Sequence, residues 1–458
     1  MSYILSLKEI LTEKLGVDKS IAYSSGSRVV SGLAGVLSVF FISTYLTGVE
    51  QGFYFTFGSI LALQVFFELG MTGIITQFVA HEASHLTLCN NIYFGDDYYK
   101  SRLSSLVHFC LKWYIVIAVL VFLVLLIVGF LFFSRFGNQS EVSWKVPWIL
   151  ICLGTAIKLF QSPFNSILLG IGKVKEMSEI GFYQQIVLPL STWVGLVFGL
   201  KLYVVGIGYL LSVVVWQVYL QFNSLDRIIV GLWRTPRVCE VSYIKEIFPY
   251  QWKIAVSWIS GYFIFQLFNP VLFATEGAVI AGQMGMTMHA LNSVQAFSLS
   301  WLNTKVPLYS KFVALKNYKS LDSIFNKSLK QMVFVCFVLF VLFEFVILFL
   351  NYTNIRWADT VLADRFLGWL PTLIIMIPVF LNQFVGSWAT YLRCHKQEPF
   401  LMNSVVMGVS CCLSTFILGK MYGLYGVITG YCLLTAFVSV PWGYWIYIKK
   451  KKEWHGKE

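Results

Sequence analysis

The chain has 458 residues, of which 57% are hydrophobic and 12% charged, whereas a soluble domain carries about 25% charged residues. That balance excludes an ordinary soluble domain. The net charge of +12, which in a soluble protein would raise nucleic acid as a partner, is distributed in a way that reports membrane orientation instead.

Residues 1–19 carry Lys8, Glu9, Glu13, Lys14, Asp18 and Lys19 among isolated Leu and Ile. This pattern suits a short amphipathic helix on the membrane surface. A cleavable signal peptide would need an apolar core ending in small residues, and the segment has none. Membrane helices are expected at about 22–46, 52–80, 108–133, 146–169, 182–200, 203–222, 248–272, 279–301, 331–350, 366–391, 401–419 and 423–447. The clearest is the third. From Ile115 to Phe133 there is no charge, and at 1.5 Å per residue the stretch spans about 28 Å, near the hydrocarbon thickness of a bilayer. The expected fold is all-α and membrane-integral, with about twelve transmembrane helices.

An even count puts both termini on one side. On that side the tails and loops hold 24 of the 34 Lys and Arg residues, and the opposite side holds six: Arg135, Lys145, Lys201, Arg356, Arg365 and Lys420. This bias places both termini in the cytoplasm. The long loops at 223–247 and 302–330 are basic, which orientation and anchoring to an anionic leaflet explain. The nine cysteines form no CxxC pair. They read as small buried hydrophobes, with no disulfide framework and no metal site.

The chain repeats itself. Leu202-Tyr203-Val204-Val205-Gly206-Ile207-Gly208-Tyr209-Leu210-Leu211 is echoed by Leu424-Tyr425-Gly426-Val427-Ile428-Thr429-Gly430-Tyr431-Cys432-Leu433. Helices six apart run the same way through the membrane. The echo therefore implies two six-helix halves, 1–222 and 248–458, joined by a loop at 223–247. This is a transporter arrangement, in which lobes rock around a central cleft.

Polar residues at helical spacing mark what would line that cleft, because an ionisable group in a membrane helix normally faces protein or water. The stripes are Ser24, Arg28, Ser31 and Gly35 in helix one; Gln64, Glu68, Thr72 and Thr76 in helix two; Thr155, Lys158, Ser162 and Asn165 in helix four; Lys253, Ser257 and Ser260 in helix seven; and His289, Asn292 and Gln295 in helix eight. Helix nine is polar only at Glu344, which places it at the periphery. Arg28, Lys158 and Lys253 would attract an anionic solute, and an arginine fork can hold phosphate oxygens. Snorkelling to the headgroups is the alternative for each of them. Glu68 either pairs with a cation or binds a proton or sodium ion, and His289 serves as an interhelical hydrogen-bond partner or as a protonation gate. No GxxxxGK[ST] motif occurs, and neither an enzyme nor a bound cofactor is expected.

Three runs carry a resemblance: Gly26-Ser27-Arg28-Val29-Val30-Ser31-Gly32-Leu33, Tyr45-Leu46-Thr47-Gly48-Val49-Glu50-Gln51-Gly52-Phe53-Tyr54 and Phe67-Glu68-Leu69-Gly70-Met71-Thr72. With Gly172-Lys173 after helix four, they resemble the polysaccharide-biosynthesis (O-antigen and capsule-unit) flippases. Those belong to the multidrug/oligosaccharidyl-lipid/polysaccharide exporter superfamily. The match to the Leu-Gly-x-x-x-x-Gly-x-Tyr phrase after helix one is loose, with one extra residue before Tyr54, and Glu68 stands where Asp is commoner. The resemblance implies a MATE-like transporter fold in a bacterial inner membrane. It implies translocation of an undecaprenyl-diphosphate-linked oligosaccharide to the outer leaflet, with Arg28 at the diphosphate. A polysaccharide polymerase complex comes into view as a partner besides the anionic lipid-linked oligosaccharide and membrane lipids. Two alternatives stay open: an ion-coupled multidrug or cation antiporter of the same fold, and a non-transporting scaffold in glycan assembly.

Overall fold

The computed structural model describes residues 19–89, 92–137, 141–239, 241–357, 360–395 and 397–455. Within these, the side chains at 19–25, 28, 29, 31, 89, 92, 244, 245, 249, 250, 253, 357 and 360 are outside the described set. The surface helix expected over 1–19 lies outside the described residues except for its last position.

Twelve helical rods follow one another among the described residues. α1 is Lys19–Tyr45. α2 is broken, its parts Gly48–Glu68 and Met71–Ala83 meeting at 42°. Then come α3 (Asp97–Phe136), α4 (Lys145–Gly170), α5 (Val174–Val197) and α6 (Tyr203–Phe222). α7 is also in two parts, Phe248–Phe265 and Phe268–Thr275, and is followed by α8 (Ala278–Asn303), α9 (Tyr318–Thr353) and α10 (Trp369–Arg393). The last stretch, Leu401–His455, is cut into α11 and α12 at Gly423, whose φ of 56° and ψ of −135° are not helical. By length and apolarity alone, eight of the described helices are able to cross a bilayer, or nine with the bent α2; the last of them contains both α11 and α12. The chain is an all-α, multi-pass membrane protein.

The sequence understates α3 and α9, which begin well before their apolar cores. Each starts at a side-chain cap: Asp96 accepts from the Tyr98 N–H at 2.9 Å and Asn317 from the Ser320 N–H at 3.1 Å. The helix therefore starts in the polar region and runs on into the membrane. Small additions decorate the bundle. β1 (Leu86–Cys89) pairs with β2 (Ile92–Gly95), β3 (Arg356–Trp357) pairs with β4 (Thr360–Val361), and short helices occupy Leu225–Arg234 and Val306–Ala314.

Helices six apart have corresponding partners. In the first half α1 packs on α5, α2 on α3 and α4, α3 on α4, and α4 on α6. In the second half α7 packs on α11, α8 on α9 and α10, α9 on α10, and α10 on α12. The echoed segments make the same kind of contact. A Cβ at Gly208 would lie 2.9 Å from Ser191 Oγ on α5, and one at Gly430 would lie 2.2 Å from Ser414 Oγ on α11. The halves meet through α1 and α2 on one side and α7 and α8 on the other. Their closest approach is at the Glu50 end. Here a Cβ on Gly52 would sit 1.9 Å from the Ala278 carbonyl oxygen, and Gln51 Nε2 donates to the carbonyls of Gly282 at 2.9 Å and Arg365 at 2.8 Å.

Candidate functional site

At the end opposite Glu50, the basic end, lies an open cavity of about 1120 Å³, lined by Gln77 of the first half and otherwise by residues of the second. Gln77 of α2 faces Ile254, Ser257 and Trp258 of α7 across it, and Arg393 and Lys450 flank it with the loop 397–401. Trp258 is 45% exposed. Arg393 already makes a two-pronged contact: its Nε and Nη2 donate to the two Glu398 carboxylate oxygens at 2.6 and 2.9 Å. Lys450 pairs with Glu453 at 2.6 Å. The lining thus offers hydrogen-bond donors and acceptors, one open indole and two cations held by carboxylates that a stronger anion can displace.

A second cavity, of about 400 Å³, lies within the first half between α2, α4 and α5 and is lined by hydroxyl and amide groups. Thr72 and Thr76 come from α2, Ser162, Asn165 and Ser166 from α4, and Gln184 from α5. Asn165 Oδ1 accepts from the Trp216 indole at 2.6 Å, and the Thr76 hydroxyl reaches the Ser166 carbonyl at 3.3 Å. Leu169, Met177 and Ile180 complete the lining, which contains no charged side chain.

The structure splits the stripe expected on α4. Ser162 and Asn165 line the second cavity. Thr155 is 2% exposed, with its hydroxyl lacking a partner among the described residues. The Lys158 ammonium lies 5.2 Å from the centre of the Tyr209 ring, so it points toward α6 inside the half. The stripe on α2 is interrupted as well. Leu69 (φ 52°) and Gly70 (φ 67°) are both left-handed, so the helix stops just after Glu68. Thr72 is therefore not the next turn of one continuous face, although its hydroxyl still reaches the Glu68 carboxylate. On α8, His289 is half-buried with its ring 5.9 Å from that of Phe55 and its Nε2 close to Gly35, while Asn292 is exposed. The side chains of Ser24, Arg28, Ser31 and Lys253 lie outside the described set, and their backbones are in α1 and α7.

Sequence reasoning missed Gln77 inside Met71–Ala83, Arg393 at the end of α10, Gln397 in the loop after it and Lys450 in α12, because isolated polar residues of this kind are unremarkable. It also missed a polar lacing at the basic end. Arg102 on α3 bonds Glu82 at the end of α2 at 3.0 Å and Glu246 ahead of α7 at 2.6 Å. Ser101 Oγ accepts from the N–H groups of Val238 and Cys239, and Ser104 Oγ donates to the Thr235 carbonyl. The loop that joins the halves is thereby fastened to the first turns of α3. Thr47 and Glu50 form a capping box, and Glu50 also contacts Lys201 at 2.8 Å. Arg365, 3% exposed, has no acceptor for Nη1 among the described residues.

No family model matches the chain, and no curated protein does. Solved structures do match. One is an inward-facing multidrug resistance MATE family transporter of the MOP superfamily, with a TM-score of 0.58 and 14% identity over 98% of this chain and 99% of that one. Another is the MATE multidrug transporter DinF-BH, at 0.57 and 15% over 96% of each chain. A third is the lipid II flippase MurJ in its inward closed conformation, at 0.59 and 16% over 94% of this chain and 89% of that one. Matches of this length over all twelve rods establish the architecture: the chain has the fold shared by MATE transporters and MurJ.

Proposed function

We propose that the chain is a flippase. It takes an anionic, lipid-linked oligosaccharide of the undecaprenyl-diphosphate class from the cytoplasmic leaflet and passes it to the outer leaflet by alternating access of two lobes, 1–222 and 248–458. The observation that carries this reading is the cavity at the basic end, where Gln77, Ser257 and Trp258 meet Arg393 and Lys450. Sugars need hydrogen bonds and a ring face, a diphosphate needs cations, and a polyprenyl tail needs only hydrocarbon beside the cleft. The matched packing of the two halves and the tight seam at Gly52 support a state open toward the basic end, which the lysine and arginine bias assigns to the cytoplasm. The likeness to a lipid II flippase supports the same class of cargo.

In this cycle Arg28, in the first turns of α1, meets the diphosphate. The hydroxyl and amide surface of α2, α4 and α5 then receives the sugars. The test is transfer of a defined lipid-linked oligosaccharide in proteoliposomes, comparing wild type with Arg28→Ala and Arg28→Lys. Ala should abolish most transfer, and Lys should keep part of it, because lysine retains the charge and loses the fork. Full activity in all three removes Arg28 from the site, and no transfer by folded wild type removes the flippase reading.

A second reading, ion-coupled export of organic cations, is favoured by Glu68, which lies at the break in α2 beside Thr72. It predicts that expression raises tolerance to cationic dyes, that Glu68→Gln removes this tolerance, and that Lys158→Ala leaves it. A scaffold without transport would tolerate loss of Arg28, Lys158 and Lys253 together.

A further inference from the structure

The start of α9, the end of α10 and the end of α12 converge in the second half, and two histidines meet there. His395 lies just past α10, and His455 is the last residue of α12. Their Nε2 atoms face one another at 3.4 Å. That contact is long for a hydrogen bond. It fits another arrangement: two imidazole nitrogens bound to one zinc ion at about 2.0–2.1 Å, at a tetrahedral angle, stand about 3.3–3.4 Å apart.

The other ring nitrogens are backed by acceptors. His395 Nδ1 lies 3.3 Å from the Tyr391 carbonyl oxygen. A carbonyl only accepts, so this nitrogen carries the proton, and Nε2 of the neutral ring keeps its lone pair. His455 Nδ1 lies 4.0 Å from Asp322 Oδ2. The same carboxylate takes the Tyr391 hydroxyl at 2.5 Å and the Lys451 ammonium at 2.9 Å. A carbonyl or carboxylate behind the far nitrogen is the usual support of a metal-bound imidazole, because it fixes the tautomer and the ring orientation. The rings are also clamped. Tyr318 stacks on His455 with ring centres 4.0 Å apart, and Trp454 lies against His395 at 4.6 Å.

The ligand set is small. Cys394 turns away, its thiol donating to the Thr390 carbonyl at 3.3 Å. Among the described residues no group of three or more His, Cys, Asp or Glu side chains is placed to hold a metal ion. An ion between the two histidines would therefore complete its shell with water, which suits an exchangeable site and not a closed structural one. A second histidine pair builds no such site. The run His81-Glu82-Ala83-Ser84-His85 has the H-E-x-x-H spacing, but the helix ends at Ala83, the ring centres are 5.8 Å apart and the His81 side chain is 73% exposed. Its Glu82, which would be the base in a zinc hydrolase of that motif, is bonded to Arg102 at 3.0 Å.

We propose that His395 and His455 form a binding site for a transition-metal ion of the zinc class, which clips the end of α12 to the end of α10. Imidazole pairs suit Zn²⁺, Ni²⁺ and Cu²⁺, whereas Mg²⁺ and Ca²⁺ seek oxygen. The clip joins the two segments that carry Arg393 and Lys450, which flank the large cavity. The site stands on the histidine geometry and does not depend on the flippase reading.

The test uses full-length, metal-stripped protein in nanodiscs of zwitterionic lipid, with Zn²⁺ as the probe. Affinity is measured by competition with a fluorescent chelator, and hydrogen exchange is followed over 440–455. Wild type should bind a zinc ion that His395→Gln and His455→Gln each weaken at least tenfold, and zinc should slow exchange at the end of α12 in wild type alone. Cu²⁺ bound to wild type should show nitrogen coupling from two imidazoles by paramagnetic resonance, a readout that decides even if a variant fails to fold. Coupling from one imidazole or none overturns the proposal. So does zinc affinity that is equal in wild type and both variants, as it would be if the cysteines held the ion. Slowed exchange that Mg²⁺ reproduces overturns it as well, since any divalent charge would then serve. Absence of zinc binding by wild type leaves two histidines sharing a proton and removes the site.

Discussion

Tyr209 and Tyr431 stand at the same place in the two halves, and each turns toward the corresponding helix of its own half. Tyr209 lies under the Lys158 ammonium of α4 at 5.2 Å, and the Tyr431 hydroxyl accepts a hydrogen bond from Asn382 of α10 at 2.6 Å. The repeat has kept the tyrosine and changed what it meets: a cation in the first half, a neutral amide in the second. In the first half the ring face does the work, and in the second the hydroxyl does.

That contrast makes the two tyrosines respond differently to the same substitution. Tyr209→Phe keeps the ring under Lys158 and should change stability little, whereas Tyr209→Leu removes the cation–ring contact and should cost about 0.5–2 kcal/mol. Tyr431→Phe leaves the Asn382 amide without its acceptor and should cost about 1–3 kcal/mol. Thermal unfolding of the three variants in one detergent gives the order: Tyr209→Phe mildest, the other two lower. Equal effects of the two Phe variants would mean that the halves use the tyrosine alike.

The second prediction concerns the seam at the Glu50 end. Gly52 has no room for a side chain, because its Cβ would lie 1.9 Å from a backbone oxygen, and backbone does not yield as a side-chain tip does. Gly52→Ala should therefore push α2 and α8 apart, at a cost of about 1–3 kcal/mol. Gln51→Ala removes the donor shared by Gly282 and Arg365 without adding bulk. Both variants should raise the reactivity of a cysteine placed at Ala278 toward a membrane-impermeant maleimide. Unchanged labelling would show that this seam is not what closes the Glu50 end.

Gly52 also shows how much of the protein was legible in the chain. The phrase Thr47-Gly48 with Gly52-Phe53-Tyr54 was visible as a motif, and its glycine proves to mark the backbone contact between the halves. The helix count, the repeat and the peripheral place of α9 could be read for a simple reason: apolar runs of bilayer length and a period of 222 are properties of the chain alone. What could not be read depends on who meets whom. Regular spacing placed Glu68 and Thr72 on one stripe, but two left-handed residues in succession interrupt it, and Leu69 gave no warning because such a conformation is unusual for leucine. Lys158 shares a stripe with Ser162 and Asn165, yet it turns to Tyr209 while they line a cavity. The lacing of 235–246 onto α3 was hidden because serines and a single arginine at a helix start are ordinary surface residues until the loop lies on them.

That lacing carries the third prediction. Glu82 is 3% exposed and relies on Arg102, with His81 more distant at 3.7 Å. Arg102→Ala strands a buried carboxylate and should cost about 3 kcal/mol, whereas Glu82→Gln leaves a neutral amide and should cost less. Hydrogen exchange over 235–247 should rise in Arg102→Ala. Acid acts on the same contact. Burial works to raise the Glu246 pKa, but the Arg102 hydrogen bond, the Ser242 N–H and the Arg102 charge outweigh it and hold the carboxyl below its ordinary value of 4.5. With the folded pKa depressed, the contribution of Glu246 is fully present above the ordinary value and is lost as the pH falls through the folded one. Exchange of this loop should be flat from pH 8 to 6 once corrected for intrinsic rates, and should rise below about pH 4.5. In Glu246→Gln that acid-dependent rise should shrink.

The last prediction returns to the break in α2. Leu69 holds φ at 52° and ψ at 31°, and Gly70 follows with φ at 67° and ψ at 18°. A left-handed leucine is strained by about 1–2 kcal/mol, whereas glycine adopts this region without penalty. The strain persists because the two parts of α2 have different partners: Gly48–Leu61 packs on α8 at one end, and Met71–Ala83 packs on α4 and α3 at the other. Each part follows its own neighbours, and the bend between them absorbs the mismatch. Leu69→Gly should therefore raise the thermal midpoint, by an amount corresponding to about 1 kcal/mol, and should leave the bend in place. Gly70→Ala should lower it, since the added Cβ is disfavoured at this φ and would lie 2.4 Å from Ile254 Cγ2 on α7. A hinge used in transport adds a second readout. Oligosaccharide transfer in proteoliposomes should survive Leu69→Gly, which keeps the bend free, and should fall in Gly70→Ala, which biases the chain toward a straight helix. If Leu69→Gly lowers stability, the leucine side chain contributes more in packing than its backbone loses in strain. If Gly70→Ala transfers as well as wild type, the bend is fixed architecture and not a hinge.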